Sequence, residues 1–306
     1  HRYTERDLLT NWKRIVYHSS CPRRALTPDE VARAFAAADR LDVLCRRKHP
    51  LRPVLTALLV TAPRMTALVS RDVGDFLGTR IDFGEGVGNK RRGYGALDPV
   101  TAEELRAYVG KREDGPLFLS ATGGCYSKER LLDQWRQAFS LGLVDGLLPA
   151  ASEGDRYLVH VALLSGKVRV SRGGSRIRAE TRRMRAELAE RIELFVRAVK
   201  ADWTRAIEDV DVHTFRKTHR TWAEAQGIPA VLVDKQLGHA LTSKDLAVFK
   251  AVRALAGNPI GRKHYLDMDS KLLDPTPCAG AVRGLLDAAE RRLEGDRAKL
   301  VVRSTS

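Results

Sequence analysis

Hydrophobic and polar positions follow a helical spacing over most of this chain. A first helix is predicted from Thr27, because residues 27–30 combine an N-cap, a proline at the first helical position and a capping-box glutamate. The mostly apolar stretch from 51 to 70 predicts a buried helix that breaks near Pro63, since an internal proline interrupts the hydrogen-bond ladder. Further helices are predicted at 101–111, with a capping box from Thr101, and at 127–139.

A short stretch between these helices has a different pattern. Residues 79–83 alternate between polar and apolar, residues 84–89 are rich in turn formers, and residues 91–97 can return as a second strand. This pattern predicts a small β-hairpin. The expected fold class is therefore mainly α with a small β-hairpin or sheet, an α+β protein.

The segment from 141 to 205 has a mixed pattern. Residues 157–161 and 168–170 flank a Ser-Gly turn, which predicts two paired strands. Apolar residues recur at helical spacing from Leu188 to Trp203 and predict a helix that packs on the core. Arginines on the opposite face of that helix fit either a solvated surface or a DNA contact. The stretch from Thr276 to Leu300 predicts a charged amphipathic helix.

The composition is strongly basic. Lysine and arginine number 53 against 38 acidic residues, which gives a formal charge of +15. Such a surplus favours a polyanionic partner, although a solvated basic surface has the same composition. A chain of 306 residues with 43% hydrophobic content can bury one large core or two moderate ones.

Cysteine spacing and hydropathy indicate further what kind of protein this is. The four cysteines form no CxxC pair, so neither a zinc site nor a disulfide framework is indicated. The longest apolar run, residues 54–62, is too short to cross a bilayer, and the N-terminus has no signal-peptide pattern. We therefore expect a cytoplasmic protein with no membrane partner.

Three motifs carry the candidate chemistry: an HxxR pair at His213 and Arg216, a Leu-Gly-His turn that ends at His239, and a downstream tyrosine, Tyr265. A helix would place the HxxR pair on one side, within reach of one phosphate. In this order, the motifs resemble the active site of the tyrosine recombinase (phage integrase) family, and residues 213–240 resemble its stretch from HxxR through the LGH turn. The resemblance implies attack of a phenol on a DNA phosphodiester. That reaction needs cations, a base for the phenol and an acid for the leaving oxygen.

The resemblance implies a role for each of these residues. Arg216 corresponds to the second catalytic arginine, His213 to a base or hydrogen-bond partner of the nucleophile, and His239 to a donor to the phosphate. Tyr265 corresponds to the nucleophile, although it lies further beyond the LGH turn than is typical. The alternative for each is structural, since a histidine beside a glycine turn is commonly a capping or core residue.

Two more candidates follow from the same resemblance. Arg64 falls where the family has its first arginine, but Ala62 stands where glycine is usual and Ala67 replaces an acidic residue. A structural salt bridge is the alternative for Arg64. Lys90 in the hairpin corresponds to the lysine that protonates the leaving 5′-oxygen; another alignment of the turn places Val87 there, and Lys90 is then a surface residue.

The resemblance predicts a site-specific DNA recombinase or integrase that works through a 3′-phosphotyrosyl intermediate without a metal or other cofactor. Its partners would be double-stranded DNA and further copies of the chain in a synaptic tetramer. Residues 25–280 would form the catalytic domain, with 141–205 as an atypical insertion. Residues 1–24 would be a linker or the tail of an N-terminal DNA-binding domain, and residues 281–306 a C-terminal helical tail.

Two other functions fit the same motifs. A type IB topoisomerase uses this chemistry to relax DNA as a monomer. A catalytically inactive DNA-binding relative fits the altered surroundings of Arg64 and the long gap before Tyr265.

Overall fold

A computed structural model describes residues 24–84, 93–120, 122–166, 179–208, 210–211, 213–239 and 274–305. These residues form a mainly helical fold with one two-stranded antiparallel sheet, which confirms the expected α+β composition. No helix within these ranges is long and apolar enough to cross a membrane. In chain order, the elements are α1 (Pro28–Leu44), α2 (Arg52–Thr61), α3 (Met65–Val69), β1 (Arg80–Asp82), β2 (Tyr94–Ala96), α4 (Pro99–Val109), α5 (Lys128–Leu147), α6 (Glu153–Ser165), α7 (Ala179–Glu208), α8 (Thr214–Ala225), α9 (Ala230–Gln236) and α10 (Thr276–Thr305).

Local capping decides where several helices begin. In α1 the Thr27 hydroxyl accepts the Glu30 N–H and the Glu30 carboxylate accepts the Thr27 N–H, so the predicted capping box is confirmed. The helix predicted at 127–139 is α5, which Ser127 caps by accepting the Arg130 N–H and which extends to Leu147. The predicted cap of α4 is wrong. Asp98 accepts the N–H groups of Val100 and Thr101, so Thr101 lies inside the helix.

The chain breaks between α2 and α3, as the proline predicts. Ala62 ends α2 in the left-handed region, at φ 45° and ψ 41°, and Arg64 precedes α3 in an extended conformation. Ala62 and Met65 are buried, whereas the side chain of Arg64 is exposed. The break therefore delivers one charged side chain to the surface from an otherwise buried segment.

The hairpin prediction is confirmed by β1 and β2, which pair with Ile81 opposite Gly95. A Cβ added at Gly95 would lie 2.5 Å from the Cβ of Thr61, too close for packed atoms. Glycine at this position therefore lets β2 lie directly on the C-terminal end of α2. The turn between the strands, which includes Lys90, lies outside the described residues.

The predicted strand at residues 157–161 is wrong, because this segment lies in α6. Ser152 caps the helix by accepting the Asp155 N–H at 3.1 Å. Val159, His160 and Ala162 are buried on one side of it. The N-cap and this helical burial pattern outweigh the strand preference of the β-branched residues. The second predicted strand, 168–170, lies outside the described residues.

Helices α5, α6 and α7 share a small core of their own. The apolar stripe predicted for α7 lies in it, with Ile192 and Val199 fully buried. A buried polar contact also joins the three helices: the Ser140 hydroxyl accepts the Trp203 indole N–H at 2.8 Å and lies 3.0 Å from Nδ1 of His160. The segment predicted to be atypical is therefore a helical unit, joined through α5 to the main core.

The expected boundary at residue 280 lies inside α10, and the first part of the expected helical tail packs into the fold. Val282, Leu286 and Ala289 are fully buried in the main hydrophobic core. Arg283 also pairs with Glu104 of α4 at 2.6 Å. The first half of α10 is therefore a core helix packed against α1, α2 and α8.

Candidate active site

Helix α8 holds the HxxR pair in a rigid setting. Its start is stabilised by Asp211, whose carboxylate accepts the His213 N–H at 2.7 Å. Its inner face is buried through Phe215 and Trp222, and the Trp222 indole N–H donates to the Leu26 carbonyl at 2.8 Å. Residues on the outer face of α8 are therefore held in place by the core behind them.

Arg216 bridges the C-terminal ends of two helices. Its Nη1 donates to the carbonyl of Ala62 at 2.7 Å, and its Nη2 donates to the carbonyl of Leu237 at 2.8 Å. These residues are the C-caps of α2 and α9, where carbonyl groups lack intrahelical partners and the helix dipole is negative. The planar guanidinium is thereby fixed in orientation.

His239 contacts Arg216 on one side and Asp234 on the other. Its Nε2 lies 3.1 Å from Nη2 of Arg216, and its Nδ1 lies 2.9 Å from Oδ1 of Asp234. A guanidinium only donates hydrogen bonds, so Nε2 accepts here and the ring proton is on Nδ1. The family resemblance implies that His239 donates a hydrogen bond to the phosphate. In this arrangement Nε2 carries no proton and cannot donate, so that role needs a further proton on Nε2.

Arg64 and Arg216 meet at one pocket. Burial first and the charge of Arg64 second lower the pKa of Arg216 to about 10. None of the described residues that line this pocket is a carboxylate, so the repulsion between the two guanidinium groups is not offset by them. The pocket is therefore suited to an anion. Its lining is Pro63, Arg64, Thr66, Ala67, Phe83, Gly93, Tyr94, Arg216, Gln236, Leu237 and Gly238.

Gln236 joins three elements around the pocket, and sequence analysis missed it. Its buried side-chain amide donates to the carbonyls of Val60 and Ala96, both at 2.9 Å, and its oxygen accepts the Ala96 N–H at 3.0 Å. These bonds tie the end of α9 to α2 and to β2. Only the position of Gln236 next to the Leu-Gly-His turn could have pointed to this role.

Tyr94 is a second pocket residue outside the motifs, since it precedes the HxxR pair in the sequence. It lies on β2, lines the pocket and is half-buried. The guanidinium carbon of Arg80 lies 5.1 Å from its ring centroid and the Lys235 ammonium 5.6 Å. Burial and the charge of Asp274 raise the pKa of Tyr94, whereas the charge of Arg80 opposes this shift. The raised pKa favours the protonated phenol.

His219, on the inner face of α8, is a core residue, as its lack of a place in the motif suggests. It is fully buried, and its Nδ1 lies 2.9 Å from the Leu59 carbonyl. Burial lowers its pKa to about 4, and the charge of Arg216 adds to this shift. The ring is therefore neutral and holds α8 against α2.

The structure brings three of the six predicted site residues together: Arg64, Arg216 and His239. His213 is exposed at the start of α8 and is not part of the pocket lining. Lys90 and Tyr265 lie outside the described residues.

No family model, curated protein or solved structure matches this chain. Among the described residues, no group of three or more His, Cys, Asp or Glu side chains could hold a metal ion. The motifs and the geometry around Arg216 are therefore the basis for assigning a function to this chain.

Proposed function

We propose that this chain is a DNA breaking-and-rejoining enzyme of the tyrosine recombinase type. The observation that supports this most directly is the pair Arg64 and Arg216 at a pocket whose described lining has no carboxylate, with His239 in contact with Arg216. Two like charges held together need an anionic ligand to offset their repulsion.

A phosphodiester suits this pair of guanidinium groups, and the proposed reaction gives the reason to prefer it to a carboxylate. Its two non-bridging oxygens can each accept from a separate guanidinium, and pentacoordinate phosphorus increases the negative charge that these groups stabilise. The formal charge of +15 favours a long polyanion as the source of the phosphate. Double-stranded DNA is therefore the proposed substrate.

In the proposed reaction, the phenol oxygen of Tyr265 forms a bond to phosphorus while the bond from phosphorus to the 5′-oxygen breaks. His213 accepts or hydrogen-bonds the phenol proton, and Lys90 gives a proton to the leaving 5′-oxygen. The 3′-phosphotyrosyl bond conserves the energy for rejoining. Attack by a 5′-hydroxyl from a partner duplex within a synaptic tetramer would complete strand exchange.

The direct test uses a nicked suicide substrate and two matched variants. Tyr265→Phe removes the attacking oxygen, and we expect covalent protein–DNA adducts to fall below detection. Tyr94→Phe removes the phenol that lines the pocket, and we expect adducts to persist, because the motif order assigns the attack to Tyr265. Adducts that persist in Tyr265→Phe and vanish in Tyr94→Phe would transfer the nucleophile to Tyr94.

The same preparation separates this proposal from the related functions. Site-dependent joining of two duplexes would support recombination. Relaxation of a supercoiled plasmid that lacks any partner site would instead indicate a type IB topoisomerase. Binding of DNA without an adduct in the unmodified chain would indicate an inactive DNA-binding relative and contradict the proposal.

A further inference from the structure

A line of side-chain contacts runs from the surface of α8 to the pocket. Nη1 of Arg220 donates to Oδ1 of Asp234 at 3.3 Å, and the same oxygen lies 2.9 Å from Nδ1 of His239. Nε2 of His239 in turn lies 3.1 Å from Nη2 of Arg216. Each neighbour in this line pairs a donor with an acceptor only if His239 carries its proton on Nδ1.

We propose that Asp234 is a positioning residue for the reaction: it accepts the Nδ1 proton of His239 and so leaves Nε2, which is turned toward Arg216 and the phosphate pocket, as the place for the further proton that donation to a phosphate requires. The inference rests on the proposed function for its effect on cleavage. Its structural part, the choice of tautomer, stands on the contacts alone.

The position of Asp234 on α9 makes this control local. The backbone N–H of His239 donates to the Asp234 carbonyl at 2.8 Å, so the backbone and the side chain of Asp234 both hold the histidine. Without the carboxylate, a proton on Nε2 would face the N–H groups of Arg216. The ring would then have to rotate away from the pocket, or Arg216 would lose part of its fixed orientation.

The residues in this line do not owe their arrangement to burial. The side chains of His239 and Asp234 are 45% and 28% exposed. Polar contacts this exposed contribute little to stability, so the hydrogen bond between Asp234 and His239 matters for orientation more than for folding. The family resemblance implies an acidic residue at position 67. Ala67 stands there in this chain and lines the pocket without a charge.

A purely structural role for Asp234 is the competing explanation. Asp234 also accepts from Arg220, so it helps to attach α9 to α8. Loss of that attachment would lower stability and DNA affinity together, whereas loss of a positioning contact would change the tautomer and the cleavage rate with little change in affinity.

The test combines a spectroscopic and a kinetic measurement on the full chain. The ring-nitrogen NMR signals of His239, assigned by comparison with His239→Gln, should show the Nδ1–H tautomer in the parent. Asp234→Leu, which is similar in volume and cannot accept, should shift His239 toward Nε2–H. Single-turnover cleavage of the suicide substrate should fall by about 10- to 100-fold, as for other side chains that orient a reacting group, with DNA affinity changed less than about twofold.

Two control variants isolate the contact. Asp234→Glu keeps a carboxylate and should restore the Nδ1–H tautomer and most of the cleavage rate. Glu224→Gln removes the other acidic partner of Arg220 but leaves the Asp234–His239 contact, so the tautomer and the rate should match the parent.

The outcomes separate this inference from the proposed function. An unchanged His239 tautomer in Asp234→Leu, or an equal loss of affinity and rate, would overturn the inference whatever the enzyme does. A chain that never forms an adduct would contradict the proposed function, and the tautomer shift alone would then decide whether Asp234 orients His239.

Discussion

Arg216 shows how one side chain serves the fold and the site together. Its two bonds to the carbonyls of Ala62 and Leu237 are a structural task, because they satisfy the C-terminal ends of two helices. Burial lowers its pKa to about 10, and the charge of Arg64 adds to that shift with no such structural benefit. Arg64 is therefore the residue at which the proposed anionic ligand can be tested.

Arg64→Ala should therefore separate stability from binding. Without anions we expect an unchanged or slightly higher melting temperature, because a like charge is removed from Arg216. In the parent, sulfate at about tenfold its Kd should raise the melting temperature by about 3 °C relative to chloride at equal ionic strength. Arg64→Ala should lose that increase. Arg106→Ala, at an exposed arginine outside the pocket lining, should retain it. An equal sulfate response in both variants would mean that the pocket binds no anion.

Acid should destabilise the protein through its buried histidines. The folded-state pKa of His219 is lowered to about 4 against about 6.5 in an unfolded chain, so the unfolded state binds the proton first. The stability that neutral His219 contributes is full above about pH 6.5 and is lost as pH falls toward 4. At pH 5 the loss is about 2 kcal/mol.

Urea unfolding at pH 7 and pH 5 measures this effect. His219→Gln cannot titrate, so its stability should fall less between the two pH values than that of the parent, by about 2 kcal/mol. His160→Gln should behave similarly, because burial also lowers the pKa of His160 to about 4. Parallel pH dependence in the parent and both variants would show that these histidines do not titrate on unfolding.

At the scale of elements, the sequence predicts structure best where a local rule operates. The capping box at Thr27, the break at Pro63 and the alternation around Ile81 depend on neighbouring residues, and all three features are present. The strand predicted at 157–161 is a helix, because short β-branched runs fit either state and the cap at Ser152 decides.

Site residues divide in the same way, into those that a local motif predicts and those that depend on tertiary contacts. His213, Arg216 and His239 could be found because their types and order form a motif. Asp234 and Gln236 could not, because their importance depends on partners brought close by the fold, such as the Ala96 backbone 140 residues away. Lys90 and Tyr265 stay predictions, since they lie outside the described residues.

Helix α9 is a case where tertiary contacts maintain a short element. It has seven residues, too few to be stable alone. Gln236→Leu would leave the Val60 carbonyl and both backbone groups of Ala96 without their partner, and we expect a loss of about 3 kcal/mol in urea unfolding. Gln226→Leu, at an exposed position after α8, should change stability by less than about 0.5 kcal/mol. Similar small losses in both variants would contradict the anchoring role of Gln236.

At the scale of the whole molecule, segments that are distant in the sequence pack against each other. The main core combines α1, α2 and α8 with the first half of α10, so residues after 276 complete a core that begins at Leu26. Ion pairs follow the same route: Arg52 of α2 pairs with Glu290, and Asp29 of α1 pairs with Arg292 at 2.7 Å. The pocket at Arg64 and Arg216 lies on the helices that these contacts hold together.

Truncation tests whether α10 is a core helix or a dispensable tail. A chain that stops after Gly280 loses the buried side chains of Val282 and Leu286, together with the Arg283–Glu104 pair. Burial of two such side chains is worth about 3 to 6 kcal/mol, a large part of the stability of a typical domain, so we expect loss of cooperative thermal unfolding by circular dichroism. A chain that stops after Glu294 keeps all of these contacts and should melt within about 2 °C of the parent, because residues 294–296 are exposed. If both truncations melt like the parent, the first half of α10 does not stabilise the core.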